Sequence, residues 1–205
     1  MTMLPKEWWG NPDNAEVWLR RERTRATTRE HLSLQEDVLS DFEEDKDRFG
    51  SVLEFGAGNG RLIGALHQRY PDKLCGSLDI NPKLSEYVGR TYGIKSYVGE
   101  LINPGLESKS FDLVFTYQVL QHCHPSEIDR AMWELKRIAR KELWLYEGWI
   151  DFAATGTEHG QVRCTADGGT FNWNFRKFKP YFTKLHWKSS KEKYCGIMLY
   201  KIKVD

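Results

Sequence analysis

Polar and apolar positions along this chain change rhythm twice. Residues 1–12, with Trp8 and Trp9 beside Gly10 and Pro12, read as an irregular aromatic arm. Asp13 or Asn14 can then cap a helix running through Arg29, and Ser33 to Asp47 reads as a second helix, with Glu36 three residues after its cap. From Ser51 short apolar runs alternate with amphipathic ones. They predict strands at Ser51–Phe55, Leu74–Asp79, Lys95–Val98, Phe111–Thr116 and Glu142–Glu147, with helices at Asn59–Tyr70, Pro82–Tyr92 and Ser126–Arg140. Strands that alternate with crossover helices predict a parallel, doubly wound α/β sheet. After Trp149 the alternation stops. Residues 150–170 read as a loop, Phe171 to Phe182 as a short amphipathic piece, and Lys184–Ser190 with Tyr194–Val204 as an antiparallel hairpin at the sheet edge.

The stretch Val52-Leu53-Glu54-Phe55-Gly56-Ala57-Gly58-Asn59-Gly60 is the pivot of this pattern. A strand ends in a turn with alternating glycines and passes at once into a helix. Glycines there suit unusual backbone angles and a ligand close to the main chain, while the N–H groups of the helix start form a polar cradle.

Composition narrows the class. The 205 residues suffice for one domain with its own core, and 40% hydrophobic with 13% aromatic residues fits a globular protein. A net charge of +1 gives no global pull towards nucleic acid or membrane. Cys75, Cys123, Cys164 and Cys195 are scattered without a CxxC pair, which speaks against a disulfide framework or structural zinc and for a reducing cytoplasm. The opening MTMLPKEWWGNPDN lacks the pattern of a signal peptide, and no apolar run approaches the roughly 20 residues that span a bilayer.

Two acidic residues bear on the ligand. Asp79 ends the second strand, 19 residues past Gly60, where a carboxylate can accept both hydroxyls of a ribose; it can equally cap the helix that opens at Pro82. Glu54 stands just before the glycines. A dinucleotide site needs GxGxxG and a helix start that meets a pyrophosphate. Here the spacing is GxGxG, and a carboxylate at Glu54 suits a cation such as the ammonium of a methionine moiety. The expected cofactor is S-adenosylmethionine rather than a nicotinamide dinucleotide.

With VLEFGAGNGRL, SLDINP, YVGEL and SFDLVFTYQVLQH in this order, the chain resembles the class I S-adenosylmethionine-dependent methyltransferases between about Gly50 and Glu147. The resemblance implies a Rossmann-like seven-stranded sheet, mostly parallel with the last strand antiparallel, the final hairpin supplying that strand. It implies one domain: an N-terminal helical lid over 1–48, a cofactor-binding core over 50–147 and a substrate-side cover with the edge hairpin over 148–205. It also implies that Glu54, Phe55, Gly56, Ala57, Gly58, Asn59 and Gly60 wrap the methionine and ribose, with Asp79 on the ribose and Ile80 near the adenine. Glu100 and Leu101 take the place of an aspartate and a backbone N–H that meet the adenine, glutamate being a longer substitute. Tyr117 and Gln118 would line the methyl-transfer centre.

Methyl transfer is an in-line displacement at an activated carbon, so alignment of the nucleophile at about 3–3.5 Å and exclusion of water are the main demands. An oxygen or protonated-amine acceptor also needs a base, and His122 has a suitable pKa class, although a packed or capping histidine before Pro125 accounts for it equally. Tyr117 is the other catalytic candidate. Tyr146 and Glu147, at the end of strand five, are candidates for acceptor contacts. His122, Cys123 and His124 are too close in sequence to converge on one ion, so no metal is expected. Trp8, Trp9 and Trp18 before the core, and Trp149, Phe171, Trp173 and Phe175 after it, either pack ordinarily or form a lid and acceptor pocket, to which Trp18 and Trp173 are assigned. Among the arginines of the first helix, Arg21 or Arg25 can reach the methionine carboxylate from such a lid.

Thr116-Tyr117-Gln118-Val119 lacks the (D/N)PP(Y/F) signature of the DNA amine methyltransferases, and a Pro-Cys nucleophile is absent. The basic, aromatic tail from Phe171 on would suit an RNA surface, yet charges on alternate strand positions also simply face solvent. The expected substrate is a small molecule (a sugar, amine or secondary metabolite) methylated on O or N. An RNA- or protein-directed enzyme and a non-catalytic S-adenosylmethionine-binding subunit are the alternatives.

Overall fold

The apolar run Ser51–Phe55 forms β1 and is buried along its whole length, as a parallel strand covered on both faces must be. The computed structural model describes residues 5–25, 29–124, 126–148, 162–163, 170–171, 186–189 and 197–204. β1 pairs in parallel with β2 (Leu74–Asp79) and β4 (Phe111–Tyr117); β3 (Lys95–Val98) joins β2, and β5 (Ala139–Gly148) joins β4. β6 (Val162–Arg163) and β7 (Thr170–Phe171) form a separate antiparallel pair. β8 (His186–Ser189) and β9 (Ile197–Lys203) are antiparallel to each other, and β9 is also antiparallel to β5. The main sheet therefore runs β3-β2-β1-β4-β5-β9-β8. The antiparallel strand is β9, one place inside the edge.

Among the described residues six helices accompany the strands: α1 (Pro5–Gly10), α2 (Ala15–Arg25), α3 (Arg29–Asp45), α4 (Arg61–Arg69), α5 (Pro82–Tyr92) and α6 (Ile128–Ile138). The two-residue period of each strand sends its side chains to opposite layers. Leu53, Phe55, Val114, Leu143 and Leu145 pack with Ile128, Ala131, Met132, Leu135 and Ile138 of α6. Val52, Leu113, Phe115, Trp144 and Tyr146 pack with Phe42 of α3, Leu62, Ile63 and Leu66 of α4 and Val88 of α5. α5 starts where it does because Asn81 accepts from the N–H groups of Lys83 and Leu84, with Pro82 in the first turn, and it stops at Gly93 in the left-handed region.

Several expectations shift at the N-terminal side. The aromatic arm contains a helical turn, α1, and Asn11 caps the 3-10 turn Pro12–Asn14 that precedes α2. α3 begins at Arg29, so Ser33 lies inside it rather than at its cap. β5 is longer than read, starting at Ala139 directly after α6. Val162–Arg163 and Thr170–Phe171 pair where a loop was expected.

Candidate functional site

β1 and β4 are adjacent in the sheet but far apart in sequence, so strand order reverses between their carboxyl ends, the place where open α/β sheets leave a crevice. A cavity of about 340 Å³ occupies it. The sequence-predicted residues Glu54, Phe55, Gly56, Ala57, Gly58, Asn59, Asp79, Ile80, Glu100, Leu101, Tyr117, Gln118, His122 and Trp18 all line it. Gly60, Tyr146 and Glu147 do not. Trp173, with Trp149 and Phe175, lies outside the described residues, and the side chains of Arg21 and Arg25 are likewise outside them.

Strand and helix geometry dictates the shape of the glycine loop. Gly56 and Ala57 donate to Leu78 O at 2.7 and 3.2 Å, tying the turn to β2. Gly56 has φ +71°, and a Cβ on it would lie 2.5 Å from Val119 Cγ2. Gly60, at φ +71°, starts α4 against Val88, whose methyls a Cβ would meet at 2.7 Å. Gly58 leaves room for Trp18 Nε1, 2.8 Å from where its Cβ would stand. The glycines thus admit the protein's own side chains, and Gly60 serves helix packing rather than the cavity wall.

The start of α4 is closed from within. Glu54 Oε2 accepts from Ile63 N–H at 2.9 Å, and Asn59 Oδ1 accepts from Arg61 N–H at 3.2 Å. The predicted cradle of helix N–H groups is therefore largely spent on these two side chains, and a pyrophosphate would find a carboxylate in its place. Burial pushes the Glu54 carboxyl up to about 8, against the lowering effect of the Ile63 N–H and the Arg61 charge. A cationic group beside Glu54 would relieve that strain.

Asp79 is the second fixed carboxylate. Its Oδ2 accepts from Gly58 N–H and its Oδ1 from Asn81 N–H, both at 2.8 Å, and burial raises its pKa against these bonds. It holds the loop while still lining the cavity, and an ionised carboxylate retains lone pairs for further donors. Asn81, which the sequence announces only as a helix cap, also reaches across: its Nδ2 donates to Trp9 O at 3.1 Å and Asn11 O at 2.9 Å.

The opposite wall comes from the N-terminal arm. Lys6 Nζ pairs with Glu100 Oε2 at 2.5 Å, and this bond raises the lysine pKa. Trp9 stands edge-on to both Trp8 and Trp18, with ring centres 4.6 and 4.9 Å apart. Its Nε1–H donates to His122 Nδ1 at 3.0 Å. Indole nitrogen only donates, so Nδ1 is the acceptor in this bond. The catalytic candidate His122 is thus held at the cavity wall through its Nδ1. Lys6 and Gln121, both missed from sequence, also line the cavity; a lone lysine in an aromatic arm gives no signal.

The two acceptor-contact candidates on β5 are placed elsewhere. The strand period turns Tyr146 into the layer of α3, where its hydroxyl donates to Asp41 Oδ2 at 3.3 Å. Glu147 is 0% exposed and accepts from Thr116, Val119 and Leu120 behind the wall. Cys123 lines the cavity as a buried thiol pushed up to about 12, which removes it as a nucleophile. Among the described residues no group of His, Cys, Asp and Glu is arranged to hold a metal, and no helix is long and apolar enough to cross a membrane.

Residues 53–146 match a family described as a methyltransferase domain. No curated protein matches the chain. Among solved structures, a TehB-like SAM-dependent methyltransferase from Corynebacterium glutamicum superposes with TM-score 0.66 at 16% identity, over 95% of this chain and all of that one. Magnesium protoporphyrin IX methyltransferase from Synechocystis, with bound SAH, gives 0.62 at 18% over 85% and 84%. The 1,6-didemethyltoxoflavin-N1-methyltransferase of Burkholderia thailandensis, solved with 1,6-didemethyltoxoflavin and S-adenosylhomocysteine, gives 0.62 at 13% over 95% and 90%.

Proposed function

We propose that the chain, whose residues 53–146 match a methyltransferase domain, is a class I S-adenosylmethionine-dependent methyltransferase that methylates an oxygen or nitrogen of a small molecule in the cavity between the glycine loop and the N-terminal arm. The observation that carries this reading is the cover. Trp9 and Lys6 reach from the arm to His122 and Glu100 and close the space beside the cofactor site with the protein's own side chains. A local enclosure favours a small acceptor over a polymer. The toxoflavin and protoporphyrin enzymes of the same fold, which act on small molecules by their names, support it.

When bound, S-adenosylmethionine supplies a methyl group already activated on a sulfonium. In this reading Glu54 holds the ammonium of the methionine part, Asp79 the ribose hydroxyls, and Glu100 with the Leu101 N–H the adenine edge, over Ile80. Binding then exchanges the Lys6 partner of Glu100 for the adenine amine or shares the carboxylate between them. Tyr117 and Gln118 bound the methyl end, Trp9 and Trp18 exclude water, and His122, held by Trp9, lines the acceptor side. The free thiols of Cys75 and Cys123 suit the reducing cytoplasm that this reading assigns.

Methyl-labelled S-adenosylmethionine and a size-fractionated cell extract test the proposal. Label should pass to the low-molecular-weight fraction. Label found only in RNA or protein would overturn the small-molecule reading.

A further inference from the structure

Glu147 has the features of a working residue, yet its side chain touches no part of the cavity. It is fully buried at the carboxyl end of β5. Its Oε1 accepts from Thr116 Oγ1 at 2.7 Å, Val119 N–H at 3.1 Å and Leu120 N–H at 3.2 Å, and Oε2 accepts from Leu120 N–H at 3.2 Å. Its neighbour Tyr146 takes the preceding amide, with Gln118 N–H donating to Tyr146 O at 2.8 Å. Three successive N–H groups after β4 are thus held by the last turns of β5.

The segment so held is unusual. Gln118 has φ +55°, a left-handed conformation that non-glycine residues adopt only when their surroundings impose it. Val119, fixed through its N–H, presses on Gly56 so closely that a Cβ there would sit 2.5 Å away. Gln118 and Val119 both line the cavity. The line of contact runs from the buried carboxylate through two backbone amides to Val119, and from Val119 onto the glycine loop.

We propose that Glu147 is a positioning residue, which fixes Tyr117–Leu120 against the glycine loop and so sets the shape of the methyl end of the cofactor site. This rests on the cofactor site proposed above. Hydrogen bonds to an ionised acceptor are about twice as strong as neutral ones, so a carboxylate holds the strained segment better than an amide would. Burial pushes the Glu147 carboxyl up to about 7 while its donors pull the other way, so the carboxylate form dominates above about pH 7.

Calorimetric binding of S-adenosylmethionine and S-adenosylhomocysteine to the full chain tests the assignment, because the two ligands differ only at the sulfur. In Glu147→Gln the new amide N–H faces the Leu120 N–H, and S-adenosylmethionine should bind about 10-fold more weakly, with the ratio of the two affinities shifted at least about 3-fold. Thr116→Val removes a single donor and should move the ratio in the same direction by less; it carries the test if Glu147→Gln is insoluble. Asp112→Asn is the control. That carboxylate accepts from Gly50 N–H and Arg140 at the far end of β4, so its loss should lower Tm and leave the ratio alone. A wild-type ratio in both Glu147→Gln and Thr116→Val, whatever their Tm, overturns the inference. Wild-type protein that binds neither ligand overturns the cofactor site itself.

Discussion

The two walls of the cavity are connected in different ways. The β1–β2 wall is tied by backbone-to-carboxylate bonds between residues close in sequence, Ile63 to Glu54 and Gly58 to Asp79, 9 and 21 residues apart. The arm wall is tied by side chains that meet across the chain, Trp9 to His122 over 113 residues and Asn81 to the arm over 70 and 72. Lys6 and Glu100 are each about two-fifths exposed, 44% and 41%, and such a pair contributes only about 0–1 kcal/mol. One wall is tied within the sheet and the loops that join its strands. The proposed role of the arm as a cover requires that the second wall open at low cost.

The contrast breaks most severely at Gly56. Gly56→Ala places a Cβ in the left-handed region and onto Val119, which should cost about 2–4 kcal/mol and lower Tm by roughly 5–15 °C, with S-adenosylhomocysteine binding lost. Calorimetry and a thermal melt read both. Asp79→Ala comes next: losing the acceptor of Gly58 and Asn81 should weaken S-adenosylhomocysteine binding by about 10-fold or more, and unchanged affinity would count against the site map.

Glu54 sharpens the comparison through pH. Its carboxyl, at about 8 in the free protein, holds a proton through most of the physiological range. Pairing with an ammonium requires the ionised form, so the bound state holds fewer protons than the free one. Affinity should rise as pH increases towards about 8 and level off above it, by up to about 10-fold per unit, with about one proton released per ligand near pH 6.5. Calorimetry in buffers of different ionisation heat measures that proton. The same shift acts oppositely on folding: the unfolded chain gives up this proton near its ordinary 4.5, so stability of the free protein should fall as pH rises from there to about 8.

The smallest effect belongs to the arm. Lys6→Met removes the exposed ion pair worth about 0–1 kcal/mol, and Trp9→Phe removes one hydrogen bond worth about 0.5–1.5 kcal/mol. They should leave Tm nearly unchanged and speed S-adenosylhomocysteine dissociation by roughly 3–10-fold in stopped flow. Dissociation at the wild-type rate in both would mean that the arm is not a cover.

Legibility followed the same division. β2, α5 and β3 are where the pattern predicted them, because apolar runs, Asn81-Pro82 and Gly93 are local signals. The glycine loop and Asp79 were readable for that reason. Tyr146 and Glu147 were misplaced because a strand's end does not tell which layer its last side chains enter. The packing of Leu145 with the α6 layer and Tyr146 with the α3 layer decides that, and both facts depend on helices elsewhere in the chain. The Trp9–His122 and Lys6–Glu100 contacts leave no trace in either neighbourhood, since neither partner breaks its local pattern.

Trp8, Trp9 and Trp18, held edge-on at 4.6 and 4.9 Å, are also chromophores close enough to couple. Their joint near-ultraviolet circular dichroism depends on mutual angle, and Trp9 and Trp18 both border the cavity. On the proposed reading of the arm as a cover, these indoles form an optical gauge of it: opening the arm would uncouple them, and occupancy of the cavity would restore the signal without any added dye.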